Sequence, residues 1–343
     1  MNNPYSMMFG KEPTQLISRT TQLQQVIESF FSTPSSQQIY MITGVRGVGK
    51  TVFMTEIAKK FSHEEDWVVV ELNPEIDLLE SLAAHLSSKQ KLAKIFQSAK
   101  INLSFFGLGV DIKGTTPITN IELALQEMIS TLKKKGKRVL ICIDEATNTP
   151  QMKAFSAAFQ ILVRKDLPVY LLMTGLYESI SALQNEKSLT FLYRAPKIYL
   201  GPLNIANIAL DYESVLKIDR QKSIELAKLT KGYSYAFQVF GYFSWEYPKD
   251  YEKAMSLSRQ YLNEYVYEKI WSELSRKDKE IVHAIAETKT GRVIDIRDYL
   301  HLEPNEFSPY RERLIRKGIL AGEDRGYVEI LLPFFDDYAL ASY

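Results

Sequence analysis

The stretch YMITGVRGVGKTVF, residues 40–53, decides the fold because it places a spaced set of glycines, a lysine and a threonine between two apolar segments. Gly44, Gly49, Lys50 and Thr51 satisfy the pattern G-x-x-x-x-G-K-[ST]. The residues before the pattern predict a buried strand, and those after it predict a helix. This is the context in which a glycine loop of this kind cradles phosphate groups.

The loop is therefore predicted to bind the phosphates of ATP or ADP together with Mg²⁺. Glycines let backbone N–H groups surround phosphate oxygens, and the start of the following helix adds positive potential. Lys50 is predicted to reach the β- and γ-phosphates, and the Thr51 hydroxyl to ligate Mg²⁺. The predicted nucleotide-binding residues of the loop are Gly44, Val45, Arg46, Gly47, Val48, Gly49, Lys50, Thr51 and Val52.

A second apolar strand, RVLICIDEA at residues 138–146, ends in Asp144 and Glu145. A carboxylate at the end of a buried strand is costly without a positive partner, and a magnesium ion ligated by Thr51 supplies one. Asp144 is predicted to hold the coordination shell of this ion. Glu145 is predicted to polarise a water molecule for attack on the γ-phosphate, acting as a catalytic residue together with Lys50. The alternative interpretation is two exposed acids at a strand end.

Roughly the first 200 residues alternate strand and helix signals, which favours an α/β fold with a parallel sheet. The predicted strands are continuous apolar runs that suit burial on both faces, and they span 38–43, 66–73, 138–146, 167–176 and 196–203. Residues 1–203 are predicted to form the core domain. Within it, INLSFFGLGVDIKG at residues 101–114 predicts an inserted hairpin, either decorative or a contact surface for DNA or a neighbouring subunit.

Beyond residue 203 the sequence changes to helix on helix. Four helices, predicted at 205–216, 220–229, 235–247 and 250–274, form a helical domain over residues 204–274. Ser275 and Asp278 then resemble a capping box at the start of another helix. Three short helices, followed by two strands around a tight turn at 318–330, predict a winged helix over residues 275–343.

Four short motifs occur in the order seen in AAA+ ATPases. These are the Walker A stretch GVRGVGKT, the Walker B stretch LICIDEA, Thr174 in LLMTG and Arg194 in FLYRAPKIYL. The chain most resembles the branch that contains origin-recognition-type initiators and related archaeal and bacterial ATPases, and the resemblance covers nearly its whole length. It implies a P-loop ATPase core, a helical lid and a C-terminal winged helix.

The resemblance also implies roles for single residues. Thr174 corresponds to a sensor that hydrogen-bonds the attacking water or the γ-phosphate, and otherwise is a polar residue at a strand end. Arg194 corresponds to an arginine finger that enters a neighbouring subunit's site, which implies a homo-oligomer at least transiently; the alternative is a surface arginine. Arg46 is a candidate contact for a phosphate or an adjacent carboxylate, and Arg19 a candidate nucleotide contact.

The lid departs from the family pattern. Many relatives carry a second sensing arginine at the start of a lid helix, whereas this chain has LTKGYSYAFQVFGYF at residues 229–243, without arginine. We therefore expect weak coupling between the γ-phosphate and lid closure, and slow hydrolysis, or a substitute role for Lys231.

The third helix of a winged helix commonly enters the major groove of DNA, with the wing on the flanking backbone. Acidic neighbours make the corresponding face mixed in charge, which predicts weak, salt-sensitive binding of double-stranded DNA. Winged helices also serve as protein-interaction or autoinhibitory modules. The candidate DNA contacts are Arg313, Arg316, Lys317 and Arg325, and the intervening acids are Glu306, Glu312, Glu323 and Asp324.

The 343-residue chain has a formal net charge of +1, so overall charge favours no nucleic-acid partner. Its single cysteine, Cys142, and the absence of a basic leader or a long apolar segment predict a cytoplasmic protein without membrane association. The histidines are scattered without the spacing of zinc ligands.

Three functions are compatible with these features. The first is an AAA+-type ATPase whose nucleotide state switches the arrangement of lid and winged helix, with DNA as a candidate partner. The second is a nucleotide-gated DNA-binding or signalling switch with negligible turnover. The third, a P-loop kinase for a small molecule, is disfavoured because such kinases need neither the Asp-Glu pair nor an appended winged helix.

Overall fold

The computed structural model describes residues 2–8, 13–108, 114–322 and 324–343. The chain divides into two compact units. We call Thr20–Thr43 with Phe53–Tyr199 the sheet unit, and Met1–Arg19, Gly44–Val52 and Leu200–Tyr343 the loop-and-lid unit. This division separates the glycine loop from the strand before it. The three-domain division at residues 203 and 274 remains a prediction.

The sheet unit is built on five parallel strands in the order β2-β3-β4-β1-β5. Their side chains are almost entirely buried in β1, β3 and β4, as expected for continuous apolar strands covered on both faces. The α/β fold with a parallel sheet is confirmed. The strands are β1 (Ile39–Thr43), β2 (Trp67–Leu72), β3 (Arg138–Ile143), β4 (Val169–Gly175) and β5 (Lys197–Tyr199).

Helices of this part of the chain alternate with the strands and contribute to its apolar core. Two helices follow β2 in place of one long helix, because the chain leaves helical geometry at Lys89. The helices are α1 (Thr20–Phe31), α2 (Lys50–Ser62), α3 (Leu78–Ser88), α4 (Gln90–Ser98), α5 (Ile121–Lys134), α6 (Pro150–Arg164) and α7 (Tyr177–Gln184).

The hairpin predicted at residues 101–114 is wrong for its first half. Residues Ser104–Phe106 form a 3-10 turn. The buried Asn102 replaces a strand ladder with side-chain hydrogen bonds to the Ser104 N–H at 3.1 Å and to the Thr115 carbonyl at 3.2 Å. The second strand-like run, residues 109–113, lies outside the described residues.

The first two lid helices match the sequence prediction because each begins at a clear N-cap. Asn204 and Asp219 accept backbone hydrogen bonds at the starts of α8 (Ile205–Leu216) and α9 (Arg220–Leu229). The third is α10 (Ser234–Glu246). The long helix predicted at 250–274 is interrupted by a π turn, and its two parts are α11 (Tyr251–Leu262) and α12 (Glu268–Ser272).

The C-terminal residues form three helices and a two-stranded antiparallel ribbon, the element order expected of a winged helix. A final helix, absent from the sequence prediction, packs against the first of the three. The elements are α13 (Arg276–Thr288), α14 (Val293–Leu300), α15 (Pro304–Arg316), β6 (Leu320–Ala321), β7 (Glu329–Ile330) and α16 (Phe335–Ser342). Among the residues that the structure describes, no helix is long and apolar enough to cross a membrane.

Candidate functional site

Asp144, Glu145 and Thr174 are connected by hydrogen bonds at one edge of the sheet. The Thr174 hydroxyl, fully buried at the end of β4, donates to the Asp144 carboxylate. The Glu145 N–H donates to the same hydroxyl at 3.1 Å and to Asp144 Oδ1 at 3.1 Å. The structure thus brings together three residues that the sequence singled out separately.

The topology of the sheet explains this grouping. Strands β3 and β4 are parallel neighbours with Ile143 beside Met173, so Asp144 follows β3 at the level of Thr174. Strand β1 runs parallel to β4 on its other side, with Thr43 beside Gly175. The carboxyl ends of β1, β3 and β4 therefore share one sheet edge, which is the usual location of ligand sites in open α/β sheets.

Glu145 has a backbone φ of 54°, in the left-handed region that residues other than glycine seldom adopt. The N–H of Glu145 donates to two acceptors, and these hydrogen bonds offset the conformational cost. Glu145 is exposed. Strained backbone that is fixed by its surroundings is concentrated at functional sites. The catalytic role of Glu145 stays a prediction.

The glycine loop lies between β1 and α2, as predicted, and Lys50 is the first residue of the helix. Lys50 Nζ donates to the carbonyls of Gly44 at 3.0 Å and Val45 at 3.1 Å. The ammonium group is thereby directed over the loop's own backbone, within the loop-and-lid unit.

Three side chains of this unit hold carbonyls of the loop. The Tyr233 hydroxyl donates to the Arg46 carbonyl at 2.6 Å, and the Ser234 hydroxyl donates to the Val48 carbonyl at 2.9 Å. Arg19 donates to the Val48 carbonyl at 3.1 Å and to the Gly201 carbonyl at 2.7 Å. Neither Tyr233 nor Ser234 was singled out from the sequence, because their role depends on a contact across nearly 190 residues. The role of Arg19 at the nucleotide stays a prediction.

The guanidinium of Arg46 binds a carboxylate, one of the two partners that the sequence analysis considered. It donates to Glu273 Oε1 at 2.6 Å and to Oε2 at 3.0 Å, a two-pronged ion pair with both side chains about one-third exposed. Partial burial would raise the pKa of Glu273, but the hydrogen bond and charge of Arg46, aided by Lys269, outweigh it and lower this pKa. A phosphate contact by Arg46 remains a prediction.

Lys231, the suggested substitute for a lid arginine, binds elsewhere. Its Nζ donates to the Ile330 carbonyl at 2.7 Å and pairs with Glu329 at 3.1 Å, both in β7 of the ribbon. This contradicts the substitute role for Lys231 in the described arrangement.

Arg194 ends a short 3-10 turn before β5 and is exposed. The neighbouring Tyr193 is also exposed, by 72%. This placement leaves Arg194 accessible to a second molecule, and its role as an arginine finger stays a prediction.

Two of the candidate DNA contacts, Arg313 and Lys317, are turned towards a buried carboxylate. Arg313 donates through its terminal nitrogen and Nε to Asp278 Oδ1 at 2.6 and 3.1 Å, and Lys317 Nζ lies 3.4 Å from Oδ2. Asp278 is completely buried, so its charge draws both cations inward. Its carboxylate is thus committed to cations, while its N–H donates to the Ser275 hydroxyl as the cap.

The other two candidate DNA contacts lie at the surface. Arg316 pairs with Glu312 one turn earlier in α15, and Arg325 is exposed at the turn of the ribbon. Of the four acids that the sequence placed on this face, Glu323 lies outside the described residues.

The candidate magnesium ligands Thr51 and Asp144 belong to different units, so their joint site stays a prediction. Within residues 2–8, 13–108, 114–322 and 324–343, no cluster of three or more His, Cys, Asp or Glu side chains forms a metal site.

Comparison with known proteins gives two family matches. The model of an ATPase domain predominantly from Archaea matches residues 16–196, and a domain of unknown function (DUF8462) matches residues 264–339. No curated protein matches the chain.

Among the solved structures that share its fold are two that match nearly its whole length. The Walker-type ATPase of Pyrococcus abyssi is 17% identical with a TM-score of 0.64, and the match covers 94% of this chain and 96% of that one. The ORC2 protein of Aeropyrum pernix, solved with ADPNP and ADP, is 13% identical with a TM-score of 0.60, covering 98% and 95%. Together with the ATPase family match over residues 16–196, these similarities confirm an AAA+-type P-loop fold.

Proposed function

The chain belongs to the family of ATPase domains found predominantly in Archaea, and we propose that it binds Mg-ATP and hydrolyses it slowly. The observation that carries this proposal is the hydrogen-bonded group of Asp144, Glu145 and Thr174 at the sheet edge where β1 also ends. Phosphate transfer needs positioning and charge neutralisation more than covalent chemistry. This edge supplies the positioning, and Lys50 with the bound Mg²⁺ would supply the positive charge.

Each residue has a distinct part in the proposed reaction. Lys50 and the N–H groups of the glycine loop bind the phosphates, and Thr51 and Asp144 hold Mg²⁺, which neutralises phosphate charge when bound. Glu145 orients and polarises the attacking water. Thr174 positions both acids, since its hydroxyl donates to Asp144 and accepts from the Glu145 N–H.

The test separates binding from hydrolysis. Glu145→Gln should retain the affinity for Mg-ATP in calorimetry while losing phosphate release, and Lys50→Ala should lose binding. Matched controls are Glu122→Gln, an exposed acid in the first turn of α5, and Lys60→Ala, an exposed lysine at the end of α2. Undiminished phosphate release in both Glu145→Gln and Lys50→Ala would end the proposal.

A nucleotide-gated switch with negligible turnover is the second candidate, and the start of α10 favours it. The residues there, Tyr233 and Ser234, bind the loop's backbone, and neither carries a charge for a γ-phosphate. Tight nucleotide binding in the unmodified chain without measurable phosphate release would select this candidate over the first.

We further propose a transient homo-oligomer through Arg194 and weak binding of double-stranded DNA through Arg316 and Arg325. The exposure of Arg194 beside Tyr193 supports the first. For DNA, the commitment of Arg313 and Lys317 to Asp278 reduces the cations facing solvent, so we expect binding that low salt reveals and physiological salt weakens. Light scattering with and without ATP and DNA tests both.

A further inference from the structure

The glycine loop is held from the start of α10 by two hydroxyl groups. Tyr233 precedes the helix and donates to the carbonyl of Arg46 at 2.6 Å. Ser234 is the first residue of the helix and donates to the carbonyl of Val48 at 2.9 Å. Both contacts lie within the loop-and-lid unit, and both acceptors are backbone atoms of the phosphate-binding motif.

Peptide geometry converts these two hydrogen bonds into an orientation of the loop. A trans peptide is planar, and its N–H points opposite to its C=O. When the carbonyl of Arg46 is drawn towards Tyr233, the N–H of Gly47 must point away from α10. The carbonyl of Val48 fixes the N–H of Gly49 in the same manner. Alternate N–H groups of the loop are thus turned to one side, which is the arrangement that binds anions.

The side chain of Tyr233 also accounts for the glycine at position 47. Gly47 has φ of 74°, and a Cβ added there would lie 2.2 Å from the Tyr233 hydroxyl oxygen. Tyr233 is 3% exposed, and burial raises its pKa, so the hydroxyl stays protonated and remains a donor at neutral pH. The hydroxyl and the loop therefore fit each other closely at this point.

We propose that Tyr233 is a positioning residue for nucleotide phosphates: its hydroxyl orients the Arg46–Gly47 peptide so that the Gly47 N–H is presented to the β-phosphate. Ser234 has the same role for the Val48–Gly49 peptide, where Arg19 shares the acceptor. This inference rests on the proposed nucleotide binding. In this proposal two uncharged hydroxyls orient the phosphate-binding N–H groups by binding the carbonyls on the opposite side of the loop.

The test is Tyr233→Phe, with Tyr235→Phe as the matched control. Tyr235 lies on the same helix and is also buried, but its hydroxyl donates to the Met7 carbonyl, outside the loop. Affinity for Mg-ADP is measured by calorimetry, and the melting temperature is measured without nucleotide. A purely structural role for Tyr233 would change the melting temperature and leave the affinity of the folded protein unaltered.

We expect Tyr233→Phe to bind Mg-ADP about five- to tenfold more weakly, the effect of losing one orienting hydrogen bond, and Tyr235→Phe to bind like the unmodified chain. Ser234→Ala should lose about two- to threefold, because Arg19 still holds the Val48 carbonyl. Equal affinities of Tyr233→Phe and Tyr235→Phe for Mg-ADP would overturn this inference and leave the proposed nucleotide binding intact. Failure of the unmodified chain to bind Mg-ADP would overturn the proposed function and this inference with it.

Discussion

Replacing Asp278 by alanine should destabilise the C-terminal helices more than a typical surface substitution. The Asp278 side chain is 1% exposed, and that of Lys317 is 9% exposed. In the folded chain Asp278 accepts three hydrogen bonds, two from Arg313 and one from Lys317. Removal of the carboxylate would take this negative charge away from a buried ammonium group, which is costly because water cannot replace it.

The size of the effect follows from the exposure of the two cations. Removing one partner of a buried ion pair generally costs about 3–5 kcal/mol. The Arg313 side chain is 37% exposed, so its guanidinium can turn to water and contributes little to the loss. We therefore expect a decrease of about 3 kcal/mol in the free energy of unfolding, near the lower end of that range.

The assay is urea unfolding followed by tryptophan fluorescence. Trp271 is a suitable reporter, since it is 7% exposed and the ammonium of Lys279, from the same helix as Asp278, lies 5.5 Å from its ring centre. The double variant Asp278→Ala with Lys317→Met should recover about 1–2 kcal/mol, because the ammonium is removed together with its carboxylate. A loss below about 1 kcal/mol in the single variant, or a double variant whose losses simply add, would refute the reasoning.

Three further predictions concern the site and the surface. Glu273→Gln should lower stability by about 1 kcal/mol at pH 7, as expected for a partly exposed pair. Because the folded pKa of Glu273 is lowered, the pair's contribution is complete above about pH 4.3 and should vanish as the pH falls through the folded pKa, measured by urea unfolding at several pH values. Thr174→Val should reduce phosphate release about 10- to 100-fold with Mg-ATP affinity retained, since Glu145 loses a partner that positions it; equal rates would contradict this. Replacing Arg316 and Arg325 together by alanine should lower the slope of log DNA affinity against log salt by about 2, and an unchanged slope would remove both from the interface.

Local signals were sufficient for the sheet and the lid. The apolar runs that end at Thr43 and just before Asp144 each specify a buried strand, and the glycines of residues 44–52 specify the turn after the first of them. Asn204 and Asp219 fix the starts of two helices by capping them locally. Such features depend on side chains close in sequence, and sequence analysis therefore finds them.

The features that were missed all depend on contacts between distant residues. Asn102 was predicted to lie in a strand, but its side chain organises a loop by binding Thr115. Arg313 is a candidate DNA contact from the sequence, yet a buried acid 35 residues earlier binds it. The contact of Tyr233 with the glycine loop has no local signature either, since a tyrosine in an aromatic-rich helix is expected to be part of an apolar core.

Arg46 is restrained at both ends, its carbonyl by Tyr233 and its guanidinium by Glu273, two residues before the cap of α13. A loop gripped in this way cannot change shape without disturbing an electrostatic contact at the junction with the C-terminal helices. If the proposed nucleotide binding shifts the equilibrium of the Arg46–Glu273 pair by some factor, thermodynamic reciprocity requires that formation of the pair change nucleotide affinity by the same factor. Both side chains are about one-third exposed, so dissolved ions screen this contact. We therefore expect ionic strength to change how firmly the ion pair restrains the loop.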